Sequence, residues 1–122
     1  ANTTISFQIR DTNNNMLFFH TFSAPNLTWM NYIVTKNGTE VKIYENAVLK
    51  STLTLSISTY TTSKATGLGG QSGGVNFKGK IDDVRIYDRA LTEKEIALLY
   101  EYGKTKITND GIVYTKEIKE TV

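Results

Sequence analysis

Along its first half this chain alternates apolar and polar residues with a period of two. Ile5, Phe7 and Ile9 stand between polar neighbours from Thr4 to Arg10, the spacing of a half-buried strand. Asp11 to Asn15 is an Asn-rich turn, suited to local backbone bonding and left-handed conformations. Met16 to Phe22 returns as a strand with Leu17, Phe19 and Thr21 on one face, and Ser23 to Leu27 loops around the only proline, Pro25. The pattern then predicts a strand over Thr28 to Lys36 that contains Trp29, Tyr32 and Val34. Asn37-Gly38 is a strong hairpin signal and predicts a type I′ turn with positive φ at both residues. Val41, Ile43 and Tyr44 continue as the partner strand, Glu45-Asn46-Ala47 makes a second tight turn, and Val48 to Leu55 returns.

The second half changes character. Ser56 to Gly74 is poor in apolar residues and holds five of the nine glycines, so it reads as a long loop. Val75 to Phe77 leads into Gly79-Lys-Ile-Asp-Asp-Val-Arg-Ile-Tyr87, where Val84 and Ile86 alternate with Asp83, Arg85 and Tyr87 as in a strand. A strongly specified helix follows. Thr92 and Glu95 have the spacing of a capping box, and Leu91 and Ile96 that of a hydrophobic staple. Ile96, Leu99 and Tyr100 share one helical face, and Gly103 is placed to close the helix in a left-handed conformation.

The wording of two of these stretches adds to their periodicity. The 18 positions from Gly79 to Ile96 resemble the closing segment of the laminin G-like jelly rolls of the concanavalin A-like lectin/glucanase superfamily. Those domains end in Gly-x-Ile-Asp-x-Val-Arg-Ile-Tyr followed by Ala-Leu-Thr/Ser-x-x-Glu-Ile. Val41 to Val48 is similar to the family's Val-x-Leu-Tyr-x-Asp-Gly turn, with Ala47 where the turn glycine usually stands, so a different turn type is expected there. The resemblance begins mid-domain and covers the C-terminal two-thirds of such a jelly roll. It implies an all-β, antiparallel concanavalin A-like jelly-roll sandwich with one short C-terminal helix. On this reading residues 1–103 form the sandwich, lacking its N-terminal strands, and 104–122 form an appended β segment.

Composition narrows the function classes. The chain has 122 residues, enough for one domain, and its net charge of +2 without a Lys/Arg cluster gives no ground for a nucleic-acid partner. No apolar run approaches the length of a membrane span. There is no cysteine, hence no disulfide framework and no thiolate metal site. His20 is the sole histidine, without a recognisable triad or zinc set around it. The glucanase branch works through carboxylates spaced Glu-x-Asp-x-x-Glu, and no such spacing occurs, so no catalytic residue is assigned and the chain reads as a non-enzyme.

The resemblance implies a recognition or adhesion module of an extracellular, cell-surface or virion protein, binding glycan or a protein surface through its loops. The alternative is a structural subunit of a virion, fibre or filament, completed by other subunits or by the rest of its own domain. The loops that would make contact are Asp11 to Asn15, Pro25 to Asn26 and Tyr60 to Gly74, with Tyr60, Gln71 and Asn76 as the candidate ligand-binding side chains. Trp29 has two readings, a core residue entering its strand or a flat platform for a sugar ring, and the core reading is preferred. Asp82 shares a strand face with Val84 and Ile86 and is expected to turn inward, where a carboxylate needs hydrogen bonds or a cation. Calcium, which relatives bind, is the metal the resemblance brings to Asp82. Asp83 and Arg85 read as a surface ion pair.

Overall fold

A computed structural model describes residues 3–25, 27–56, 67–71 and 75–105. The first two strands, β1 (Thr3–Arg10) and β2 (Met16–Ala24), form an antiparallel hairpin. Ile5, Phe7 and Ile9 lie opposite Phe22, His20 and Phe18, so these six side chains share one face. That register decides which residues of β2 are buried. Phe18 and Phe22 enter the core and Phe19 is exposed, so the buried face is the complement of the Leu17, Phe19 and Thr21 set. A bulge next to Ile9 and Arg10 absorbs one extra residue of β2 near the turn.

The second sheet runs β3 (Tyr32–Asn37), β4 (Glu40–Glu45) and β5 (Val48–Thr54), all antiparallel neighbours. Its inner face carries Val34, Val41, Ile43 and Leu53, which pack with Phe18, Phe22 and Leu55 against the first hairpin. Phe7 meets Phe18 edge-on at 5.9 Å, and Phe22 meets Tyr32 at 4.6 Å across the two sheets. Two sheets facing each other over this core make the fold an all-β, antiparallel sandwich. Tyr44 and Thr35 alternate to the outer face of the second sheet and are nevertheless buried. Burial raises the Tyr44 hydroxyl pKa, Lys42 partly offsets the rise, and the Glu93 and Glu40 carboxylates add to it.

Both hairpin turns differ from expectation. Between β3 and β4 the two central residues are Gly38 and Thr39, and only Gly38 has positive φ, at 60°. Asn37 stays in the ladder opposite Glu40, so the turn needs glycine at its first central position, as a type II′ turn does. Between β4 and β5 the central residues are Asn46 and Ala47, with φ of 50° and 65°. The left-handed pair expected of the glycine-containing family turn is therefore kept, with alanine carrying the strain.

The expected strand Thr28 to Lys36 is shorter: β3 starts at Tyr32, and residues 28–31 form a loop. After Ser56 the described residues include a small ladder of β6 (Gly70–Gln71) with β7 (Val75–Asn76). The largest departure is the segment 79–92, which joins no ladder. Asp83 has φ of 56°, a left-handed kink that breaks the alternation in its middle, and Val84 and Ile86 are 54% and 85% exposed. A strand exists only through the partner that takes its backbone bonds, and the described residues supply none beside this segment.

The helix α1 (Glu93–Thr105) begins as its sequence specifies. The backbone N–H of Glu95 donates to Thr92 Oγ1 at 3.2 Å, and the N–H of Thr92 donates back to Glu95 Oε1 at 3.3 Å. Ile96, four residues past the cap, is fully buried. The helix runs through Gly103 to Thr105, and Gly103 does not take positive φ, so it is an interior residue and not the closing cap.

Candidate functional site

The loop that joins the two sheets, from Pro25 to Asn31, is fastened at both ends. At its start the Tyr32 hydroxyl donates to the carbonyl oxygen of Ser23 at 2.8 Å. At its end the N–H of Asn31 donates to Asn46 Oδ1 at 2.9 Å, and the N–H of Asn46 donates to the carbonyl oxygen of Asn31 at 2.8 Å. The Asn46 amide also reaches Met30 Sδ at 3.4 Å. The left-handed turn at Asn46 and Ala47 is what aims the Asn46 side chain at the loop.

Trp29 projects from this fastened loop and is 62% exposed, which overturns its assignment to the core. Strand parity explains the outcome. Tyr32 and Val34 face the core, so a continued strand would have put Trp29 on the opposite face from both. Beside it, Leu27 is fully exposed and holds φ of 59°, a left-handed conformation rare for a large aliphatic residue. A large aromatic and a strained, solvated leucine on a loop closed by four hydrogen bonds form, among the described residues, a surface prepared for contact.

The residues singled out by sequence fall elsewhere. Gln71 and Asn76 lie on the β6–β7 ladder, where Gly70 pairs with Asn76 and Gln71 with Val75. Tyr60 and the appended segment beyond Thr105 lie outside the described residues. In the turn between β1 and β2, Asp11 Oδ1 accepts the N–H of Asn15 at 2.8 Å and Oδ2 accepts its side-chain amide at 2.9 Å. These bonds hold the Asp11 carboxyl below its usual pKa.

Asp82 is exposed and does not turn inward, because the strand that would have oriented it is absent. Its Oδ1 accepts the N–H of Asp83 at 2.8 Å. Among the described residues no three Asp, Glu or His side chains cluster as a metal site would need. Asp83 and Arg85 do pair, at 3.0 Å, and Arg85 also lies 5.8 Å from the centre of the Tyr102 ring. His20 is half-buried and stacks edge-on against Phe22 at 5.0 Å. Among the described residues no helix is long and apolar enough to cross a membrane.

Comparison with known proteins agrees with this architecture. The sequence profile of a laminin G-type family, described as the concanavalin A-like lectin/glucanases superfamily, matches residues 1–97. The chain belongs to that superfamily. The match covers the N-terminal part of the chain, so the expected placement in the C-terminal two-thirds does not hold. No curated protein matches the chain. One solved structure is similar: a fragment, residues 221–444, of an S-layer domain-containing protein from Clostridium thermocellum, at 23% identity and a TM-score of 0.49. The similarity covers 80% of this chain and 51% of that one, so this chain spans about half the length of the structure it matches.

Proposed function

We propose that this chain is a non-catalytic recognition module of an extracellular or surface protein, and that it takes a glycan or a protein surface at the loop carrying Trp29. The observation that carries this reading is a 62% exposed tryptophan on a loop held closed at both ends. Indole faces suit both the C–H surfaces of sugar rings and the apolar centres of protein interfaces, and pre-ordering the loop lowers the entropy lost on contact. The superfamily's own description, lectins and glucanases, is of proteins that handle carbohydrate. Residues Gln71, Asn76 and Tyr60 would extend the contact surface, and calcium at Asp82 would add to it only with ligands from the partner.

Trp29 is the sole tryptophan, so its fluorescence reports this site alone. The test is a glycan array followed by fluorescence titration of each hit with the native chain and with Trp29→Ala. Binding that shifts the indole emission and disappears in the variant supports the reading. Hits that the variant retains at equal strength, or an array without hits together with no protein partner that perturbs the indole, would sink it. A second reading, a structural subunit of a larger assembly, is favoured by the exposed apolar row along 81–87.

A further inference from the structure

The hairpin of β1 and β2 has a second face, turned away from the core. Thr4, Ser6, Gln8 and Arg10 alternate outward on β1, opposite Ser23, Thr21, Phe19 and Met16 on β2. Phe19 is 51% exposed in the middle of this face, directly across from Gln8. The side chains along β1 fix one another. Gln8 Nε2 donates to Ser6 Oγ at 3.4 Å, and Arg10 Nε and Nη2 both donate to Gln8 Oε1 at 3.4 Å. Arg10 Nη1 donates to the carbonyl oxygen of Asn14 at 2.9 Å. Three of the five N–H groups of the guanidinium are thus used, and each terminal nitrogen keeps one for an incoming group.

Arg10 is the only charged side chain on this face, and among the described residues it has no carboxylate partner. Arg85 and Arg89 each hold a carboxylate, at 3.0 and 2.6 Å. Asp11, next to Arg10 in sequence, gives its two oxygens to Asn15 instead. An ordered guanidinium with free donors and no counter-ion is complementary to a carboxylate, which it grips through two parallel bonds. Phe19 lies diagonally across the ladder from Arg10, an offset of about 7–8 Å between such neighbours. A sugar ring stacked on the phenyl face would bring an acid group at its edge within reach of the guanidinium. We infer that this outer face of the β1–β2 hairpin is a binding site for a carboxylate-bearing saccharide. Arg10 takes the acid group, Phe19 lies under the ring, and Ser6, Gln8 and Thr21 meet the ring hydroxyls. An acidic peptide would also pair with Arg10, but it would leave the flat aromatic and the row of polar side chains unmatched. None of these residues lies on the Trp29 loop, so the two sites stand or fall separately.

Isothermal calorimetry on the full chain tests this with oligosaccharides of galacturonate, glucuronate and N-acetylneuraminate. Each is run beside its methyl ester, which keeps the sugar and removes the charge. At least one acid should bind, and its ester should bind at least about tenfold more weakly, since hydrogen bonds to a charged group are the stronger kind. Arg10→Gln should abolish that preference, and Arg10→Lys, which keeps the charge without the fork, should retain part of it. Phe19→Ala should weaken acid and ester alike. Added salt should weaken the acid more than the ester. Trp29→Ala should bind the acid like the native chain, and unchanged far-ultraviolet circular dichroism shows that each variant is folded. No binding by any of the three acids, equal affinity for acid and ester, a preference that survives Arg10→Gln, or tetraglutamate bound as tightly as the best saccharide would each overturn the inference.

Discussion

Asn31 and Asn46 hold each other through two hydrogen bonds, one from each backbone N–H, at 2.9 and 2.8 Å. Fifteen residues separate them in sequence. Their contact joins the loop that presents Trp29 to the turn between β4 and β5, so the order of the exposed indole depends on a hairpin of the second sheet.

Asn46→Gly keeps the left-handed backbone and removes the side chain that accepts from Asn31 and reaches Met30. It should cost about 1 kcal/mol, the usual worth of a hydrogen bond between neutral groups. Fluorescence anisotropy of Trp29 should fall at the same time. Equal anisotropy in the variant would mean that the loop is ordered by something other than Asn46.

Ala47→Gly should act in the opposite direction. Alanine at φ of 65° carries a steric penalty that glycine escapes. The expected gain is about 1 kcal/mol in chemical denaturation, with the ladder between β4 and β5 unaltered. A loss of stability would show that the turn is not left-handed at this residue.

Gly103→Ala should also stabilise. The glycine lies within the helix without positive φ, and a methyl group there would meet nothing within 4 Å. Alanine exceeds glycine in a helix interior by about 0.5–1 kcal/mol, so both thermal stability and helical circular dichroism should increase. No gain would mean that the last turn frays, so that Gly103 is outside the ordered helix in solution.

Acid should release the cap of α1. The Arg89 guanidinium, at 2.9 and 2.6 Å, pulls the Glu95 carboxyl down to about 2, with help from the Thr92 backbone and hydroxyl. In the unfolded chain this carboxyl titrates near its ordinary 4.5. Between those values the unfolded state takes up a proton that the folded state refuses. Stability from this group is therefore complete above about 4.5 and drains away as pH falls towards about 2. Thermal melts across that window should show a drop that Glu95→Gln lacks, and the drop should shrink in high salt. Parallel pH profiles for the two proteins would contradict the role given to Arg89 and Glu95.

What could be read from sequence followed from local physics. The β1–β2 hairpin, the ladder of β4 with β5, and the start of α1 rest on alternation, turn residues and a capping box, all of which act over a few positions. The core reading of Trp29 rests on its entering one strand with Tyr32 and Val34. Its odd spacing from both was the signal that the three cannot share a strand face. Phe18 and Phe22 outrank Leu17 and Phe19 for burial because the register with β1 chooses the face, and register is a relation between two segments. The alternation around Val84 is real, yet alternation describes a strand's faces and says nothing about its edges. The site followed the same division: the loop at Pro25 could be located from its turn residues, whereas its fastening to Asn46 joins distant parts of the chain.

The loop between the sheets is closed almost entirely through its main chain. Ser23 and Asn31 contribute backbone atoms, while the hydroxyl of Tyr32 and the amide of Asn46 come from the framework. Between the two fastenings Leu27 and Trp29 project into solvent, while the Met30 sulfur meets the Asn46 amide. Positions 27 and 29 can diversify quickly, since a new side chain at either inherits the same closure. Related modules could exchange one partner for another by rewriting a handful of codons, and an engineer could randomise the same positions to obtain new binders on an unchanged scaffold.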